Sequence, residues 1–126
     1  MKVLSIKEPF ATLIKDGIKI YETRSWKTNY RGEIYIHASK TISKSENTPK
    51  AKKYLKSKIN PGYILCKCEL IDCIPMTKEF IDYIKNNTNE NDYGKYSEER
   101  FAWKLKVIEI LKTPIKANGK LGIWNC

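Results

Sequence analysis

The segment Gly17-Ile18-Lys19-Ile20-Tyr21-Glu22-Thr23-Arg24-Ser25-Trp26 gathers the side chains best suited to chemistry. In an extended strand, alternation puts Ile20, Glu22, Arg24 and Trp26 on one face and Lys19, Tyr21, Thr23 and Ser25 on the other. Both faces carry polar groups, so neither is a plain core face. Lys19 leaves the turn at Gly17 and can bend towards Glu22. A carboxylate set between a lysine and an arginine stays ionised, and it can orient or deprotonate an amine or a bound water. The same residues also suit a structural ion pair, Glu22–Arg24, bracing the rim of a barrel.

Three further groups bear on function. In Asn29-Tyr30-Arg31-Gly32, Arg31 offers a bidentate fork for phosphate and Tyr30 a face for stacking on an unpaired base. The same four residues also read as a hairpin turn in which Gly32 supplies a positive φ and Arg31 is solvated. His37 is the sole histidine. Ser39 shares its strand face and is a possible nucleophile for it, but two neighbours on one strand seldom find an orienting third group. The spacing therefore favours a ring hydrogen-bonded inside the fold. From Lys40 to Lys58 the chain carries seven lysines and one acid, Glu46. Such a stretch is a solvated face or a collector of backbone phosphates, and salt weakens the latter steeply.

These residues need a scaffold. Lys2 to Ile6 reads as a first strand. A helix follows from Pro9 to about Asp16, with Phe10, Leu13 and Ile14 at helical spacing, Glu8 at the positive end of its dipole and Gly17 as its stop. Strands are expected over Ile20–Trp26, Glu33–Ser39, Tyr63–Ile74, Glu99–Leu111 and Leu121–Trp124. A helix starting at Thr48 or Pro49 would turn Ala51, Tyr54, Leu55 and Ile59 inward and Lys52, Lys53 and Lys56 to solvent. Thr77 caps another helix carrying Phe80, Ile81 and Ile84, and the Asn-rich stretch from Asn86 to Gly94 reads as a mobile surface loop. The expected fold class is mainly β with flanking α: a small mixed barrel with short helices in its connections.

Length and composition set the outer bounds. The chain of 126 residues reads as one domain, with 41% apolar residues and 30% charged, which excludes wholesale disorder. Lys+Arg total 24 against 14 Asp+Glu, a net charge of +10 that concentrates polyanions; nucleic acid is the commonest of these, and an acidic membrane surface shares the sign. No apolar run reaches the roughly 18 residues of a membrane span. The beginning MKVLSIKEPF lacks a signal-peptide pattern, so a reducing cytoplasm is the expected compartment. Cys66, Cys68, Cys73 and Cys126 are then expected as thiols, with Cys66 and Cys68 on one strand face. The one histidine and the C-x-C spacing argue against a zinc site, and no cofactor is expected.

The ordered motifs Leu4-Ser5-Ile6-Lys7-Glu8-Pro9-Phe10, Gly17-Ile18-Lys19 with Glu22-Thr23-Arg24-Ser25-Trp26, Tyr30-Arg31-Gly32, Ile36-His37-Ala38-Ser39-Lys40 and Gly119-Lys120-Leu121-Gly122-Ile123-Trp124 resemble the ASCH (activating signal cointegrator 1 homology) domain. That resemblance implies a PUA-like barrel with a cleft that takes RNA or nucleotides. One small bacterial branch of the family resembles an amidohydrolase acting on N4-acetylcytidine through a lysine, a threonine and a glutamate. Another member is linked to ribonuclease activity. By position, the branch's lysine falls on Lys19, its glutamate on Glu69, and its threonine on Glu22. The last is a departure, with Thr23 next door on the opposite strand face. The chain is closer to the coactivator-like branch, whose G-x-K-x-x-E-x-R pattern it keeps in full.

Three functions remain. In the first, a module for RNA, other single-stranded nucleic acid or a nucleotide, the ligand meets Ser5, Pro9, Phe10, Lys19, Glu22, Arg24, Trp26, Arg31, Ser39 and Lys40, and Lys52, Lys53 and Lys56 gather phosphates. In the second, a metal-independent hydrolase of RNA or a modified nucleoside, Lys19 activates the nucleophile, Glu22 and Glu69 orient it or move a proton, and Arg24 steadies an oxyanion. The third is a protein adaptor, against which the one-sided charge argues.

Overall fold

A computed structural model describes residues 1–42, 48–55 and 59–126, with Tyr54 and Leu55 described in their backbone only. Six strands, β1 (Lys2–Glu8), β2 (Tyr21–Arg24), β3 (Gly32–Ile42), β4 (Tyr63–Pro75), β5 (Phe101–Lys116) and β6 (Ile123–Asn125), form one mixed sheet in the order β2-β5-β4-β3-β1-β6. Only β1 and β3 run parallel; the other neighbours are antiparallel. Parallel pairing needs a long crossover, and here α1 (Phe10–Lys15) and β2 supply it. Two more helices, α2 (Pro49–Leu55) and α3 (Lys78–Asn87), lie in the other long connections.

Strand alternation builds the core. Ile34, Ile36 and Ala38 of β3 are buried on one face, and Leu4 and Ile6 of β1 join Leu13 of α1 and Trp103 of β5 in the same cluster. Cys66 and Cys68 of β4 share that face, with their sulfurs 3.9 Å apart. The hydrogen bond with Cys66, with burial behind it, pushes the Cys68 thiol well above its ordinary range. The sheet is rolled: Arg24 on the edge strand β2 donates to the Ser5 carbonyl on β1, four strands away in the sheet order. The mainly β expectation holds as a rolled six-stranded sheet with three short helices. Among the described residues, no helix is long and apolar enough to cross a membrane.

Two expectations need correction. The stretch expected as a mobile loop is a packed one. α3 ends at Asn87, and a single 3-10 turn (Glu90–Tyr93) follows with Glu90 and Tyr93 buried. The Glu90 carboxylate explains this, because it accepts the backbone N–H groups of Ile20 and Tyr21 at 3.0–3.1 Å and so pins the turn to the start of β2. β5 also runs five residues past Leu111, to Lys116, in register with β4 as far as Tyr63. Thr77 caps α3 as expected, its hydroxyl accepting the N–H of Phe80 at 3.1 Å.

Candidate functional site

Rolling the sheet leaves a cleft of about 610 Å³ between β1, β2 and β3 on one side and the turns around Tyr93–Gly94 and Asn118–Gly122 on the other. Two polar clusters occupy its walls, one charged and one neutral.

The charged cluster comes from the start of β2. Helix α1 stops at Gly17, and the chain brings Lys19 into the interior, where its side chain is 1% exposed. Its ammonium donates to the Tyr93 carbonyl and stands 3.9 Å from Glu22 Oε1 and 5.3 Å from the centre of the Phe10 ring. The other Glu22 oxygen, Oε2, accepts from Arg24 Nε at 3.0 Å and pairs with Arg24 Nη2 at 2.9 Å. Arg24 Nη2 also donates to the Ser5 carbonyl at 2.8 Å. The Lys19–Glu22 approach expected from the Gly17 turn is therefore realised, and Glu22 is held by two cations at once.

Thr23 was expected on the opposite strand face, yet it too lines the cleft, because the turn after Tyr93 folds over that side of β2. Gly94 makes this approach possible: a Cβ there would stand 3.0 Å from Thr23 Cγ2 and 3.3 Å from Lys19 Nζ. The Thr23 hydroxyl meanwhile accepts the Lys95 N–H at 3.3 Å.

The neutral cluster joins β1, β3 and β6. Ser5 and His37 are register partners of the parallel β1–β3 pair, so their side chains emerge side by side. Ser5 Oγ lies 2.9 Å from His37 Nδ1, and His37 Nε2 lies 2.8 Å from the Ala117 carbonyl oxygen. A carbonyl only accepts, so in the neutral ring Nε2 carries the proton and Nδ1 accepts the serine hydroxyl. Trp124 of β6 donates its indole N–H to the same Ser5 Oγ at 3.0 Å. His37 thus pairs with Ser5 rather than with Ser39, whose hydroxyl accepts the Thr41 N–H at 3.2 Å.

The remaining candidates divide between cleft and elsewhere. Phe10, Ser39 and Lys40 line the cleft, and Lys40 Nζ is 3.3 Å from Asn118 Oδ1. Trp26 sits beside it, half-exposed, edge-on to Trp103 at 4.7 Å and near Gly122. Pro9 is buried at the head of α1. Arg31 is exposed, donating to the Thr28 and Tyr30 carbonyls in the hairpin turn, and Gly32 takes the positive φ of 126° that this turn asks for. Glu69 is exposed on β4, opposite Glu33 and Lys106, and does not reach the cleft, because alternation turns it away from Cys68 and Leu70 in the core. Lys52 and Lys53 are exposed on α2 outside the cleft lining. Lys56, like Lys44, Glu46 and Lys58, lies outside the described residues.

The cleft is also lined by residues that sequence reasoning did not assign to a site, among them Lys7, Tyr93 and the segment Asn118–Lys120. Only the closing motif Gly119 to Trp124 marked the last of these regions. Among the described residues, five cationic side chains, Lys7, Lys19, Arg24, Lys40 and Lys120, line the cleft against the single carboxylate of Glu22. Among the described residues, no group of three His, Cys, Asp or Glu side chains is placed to hold a metal ion.

Comparison with known proteins places this geometry. A family model of the ASCH domain matches residues 4–114. Activating signal cointegrator 1 from Homo sapiens is 34% identical over 96% of this chain, as is its counterpart from Mus musculus. The chain spans 21% of the length of each of these relatives. Among solved structures, the ASCH protein from Zymomonas mobilis has a TM-score of 0.57 at 16% identity, covering 91% of this chain and 72% of that one. A mutant form of that protein gives the same TM-score at 15% identity, covering 91% and 74%. At that identity the likeness concerns the fold.

Proposed function

The chain belongs to the ASCH domain family, and we propose from that premise that its cleft binds single-stranded RNA or a nucleotide. The observation that carries this reading is the charge of the cleft: among the described residues five cationic side chains face one carboxylate, and that carboxylate is paired with two of the five. Most of the surplus positive charge sits on Lys7, Lys40 and Lys120 at the rim, where phosphates arrive with their counterions released. Deeper in, Phe10 offers ring surface beside the Lys19 ammonium. Arg24 is fixed by Glu22 and the Ser5 carbonyl, so its guanidinium is pre-oriented for an anion.

A second reading, a metal-independent hydrolase of RNA or a modified nucleoside, rests on the 3.9 Å approach of Lys19 to Glu22 inside the same cleft. Glu69 has no part in it, being exposed elsewhere on β4. One experiment addresses both: labelled single-stranded RNA with excess EDTA, run on native and denaturing gels beside Lys19→Ala. The binding reading expects intact RNA, shifted by the wild type and shifted less by the variant. Cleavage by the wild type and not by Lys19→Ala would replace it with the hydrolase. No shift and no cleavage would overturn both for RNA.

A further inference from the structure

We propose that Ser5 and His37 form a nucleophile–base pair that attacks acyl esters at the wall of the cleft. The argument is geometric. A serine hydroxyl becomes a nucleophile when a base accepts its proton and a third group fixes that base. Each part is present on separate elements. Ser5 Oγ on β1 is 2.9 Å from Nδ1 of His37 on β3, and the Ala117 carbonyl after β5 holds Nε2 at 2.8 Å. That carbonyl sets the tautomer in which Nδ1 has a lone pair facing the hydroxyl, and it steadies the ring when Nδ1 takes a proton. The Trp124 indole N–H, donated to Ser5 Oγ at 3.0 Å, fixes the hydroxyl oxygen so that its proton faces His37 Nδ1.

Access to the pair comes from the cleft. Ser5 is half-buried, and both residues line the cleft beside Gly119. A Cβ at Gly119 would stand 2.8 Å from both Ser5 Oγ and His37 Cε1, closer than real carbon contacts, so only glycine lets the chain pass this near the pair without displacing it.

In the reaction, the Ser5 Oγ lone pair forms a bond to the acyl carbon while the hydroxyl proton moves to His37 Nδ1. The tetrahedral intermediate then collapses, and the leaving alkoxide takes that proton as alcohol. Water next attacks the acyl-serine, giving a proton to Nδ1, and Ser5 leaves as its oxygen recovers that proton. Ester and water have become acid and alcohol, with no other reactant. The substrate class is a carboxylic ester with a phosphate or another anion on its alcohol or acyl part. That anionic preference rests on the proposed reading of the basic cleft, whereas the nucleophile does not.

The test is labelling with a fluorophosphonate probe, whose fluoride is displaced by an activated serine oxygen, followed by mapping of the modified residue by mass spectrometry. The wild type is expected to carry the label on Ser5. Ser5→Ala is expected to lose it, and His37→Gln, which can still donate to Ala117, to slow it by about a hundredfold or more. Trp124→Phe, which keeps the ring and drops the N–H, is expected to slow it as well and serves if the histidine variant does not fold. An unlabelled wild type, or rates unchanged in folded His37→Gln or Trp124→Phe, would overturn the assignment. RNA binding by the same wild-type sample is scored separately. Label without an RNA shift leaves the nucleophile standing and removes the binding reading, and a shift without label does the reverse.

Discussion

Glu8 and Glu22 are both buried carboxylates near the first helix, and they are satisfied in opposite ways. Glu8 is closed off by the chain itself: it accepts the N–H and hydroxyl of Thr12 and the N–H of Asn60, at 2.6–2.9 Å. Glu90 is of the same kind, bound to the N–H groups of Ile20 and Tyr21. Glu22 instead meets two cationic side chains at the edge of an open cleft. Backbone donors cannot leave without unfolding, so Glu8 and Glu90 are parts of the scaffold. The cations paired with Glu22 line the cleft, so the region of Glu22 is the one a ligand can reach. Burial of a charge alone does not mark a site; whether its partners face an open cleft does.

The comparison is broken most severely at Glu8. Glu8→Ala strands two buried donors of Thr12, at roughly 1–3 kcal/mol each, and frees the part-buried Asn60 N–H to meet water, so urea unfolding should show a loss of about 2–5 kcal/mol. A loss below about 1 kcal/mol would remove Glu8 from the scaffold class. Arg24→Ala comes next and acts on the other region. It should weaken RNA binding about tenfold, the effect of one charge-assisted contact worth roughly 1.5–3 kcal/mol. Its stability should fall by less than about 1 kcal/mol, since Arg24 is partly exposed and its ion pair is screened.

Smaller effects sharpen the scaffold side. The Tyr96 hydroxyl is buried and, among the described residues, makes no hydrogen bond, and burial pushes it well above the ordinary phenol range. Tyr96→Phe removes a desolvated group with nothing to lose, so thermal or urea unfolding should show a gain of about 1 kcal/mol. The smallest signal is a slope. Burial raises the Glu90 carboxyl above its ordinary 4.5, against the lowering by the Tyr21 and Ile20 N–H groups and by Lys19. The folded state therefore holds that proton more tightly than the unfolded one, and stability falls as pH rises from about 4.5 through the raised value. Glu90→Gln should flatten that part of the pH–stability curve, and an unchanged slope would assign the effect to another group.

Local pattern made much of this legible. The α1 stop at Gly17, the Thr77 cap, the alternation of β3 and the bend of Lys19 towards Glu22 all follow from neighbours within a few residues. Contacts between distant residues were not legible. Ser5 meets His37 because β1 and β3 are parallel partners across an intervening helix and strand, and no spacing rule encodes that register. Trp124 reaches Ser5 through the antiparallel pairing of β6 with β1, at the far end of the chain. Glu90 looked like part of a polar loop because its partners are backbone N–H groups about 70 positions away, which have no signature in side-chain type. Glu69 shows the converse: residue type suggested chemistry, while strand alternation turned it outward.

The most direct test of the central claim, that the cleft is an electrostatic site for a nucleic acid or nucleotide, is fluorescence anisotropy of a labelled single-stranded RNA as salt rises from about 50 to 200 mM. Wild type and Arg24→Ala are titrated side by side. Each phosphate held lowers log K by about 0.7 per tenfold salt, so the three rim lysines together with Arg24 predict a slope of about −3 for the wild type. Arg24→Ala should give weaker binding and a shallower slope. Affinity that ignores salt, or a variant that binds as the wild type does, would contradict the account.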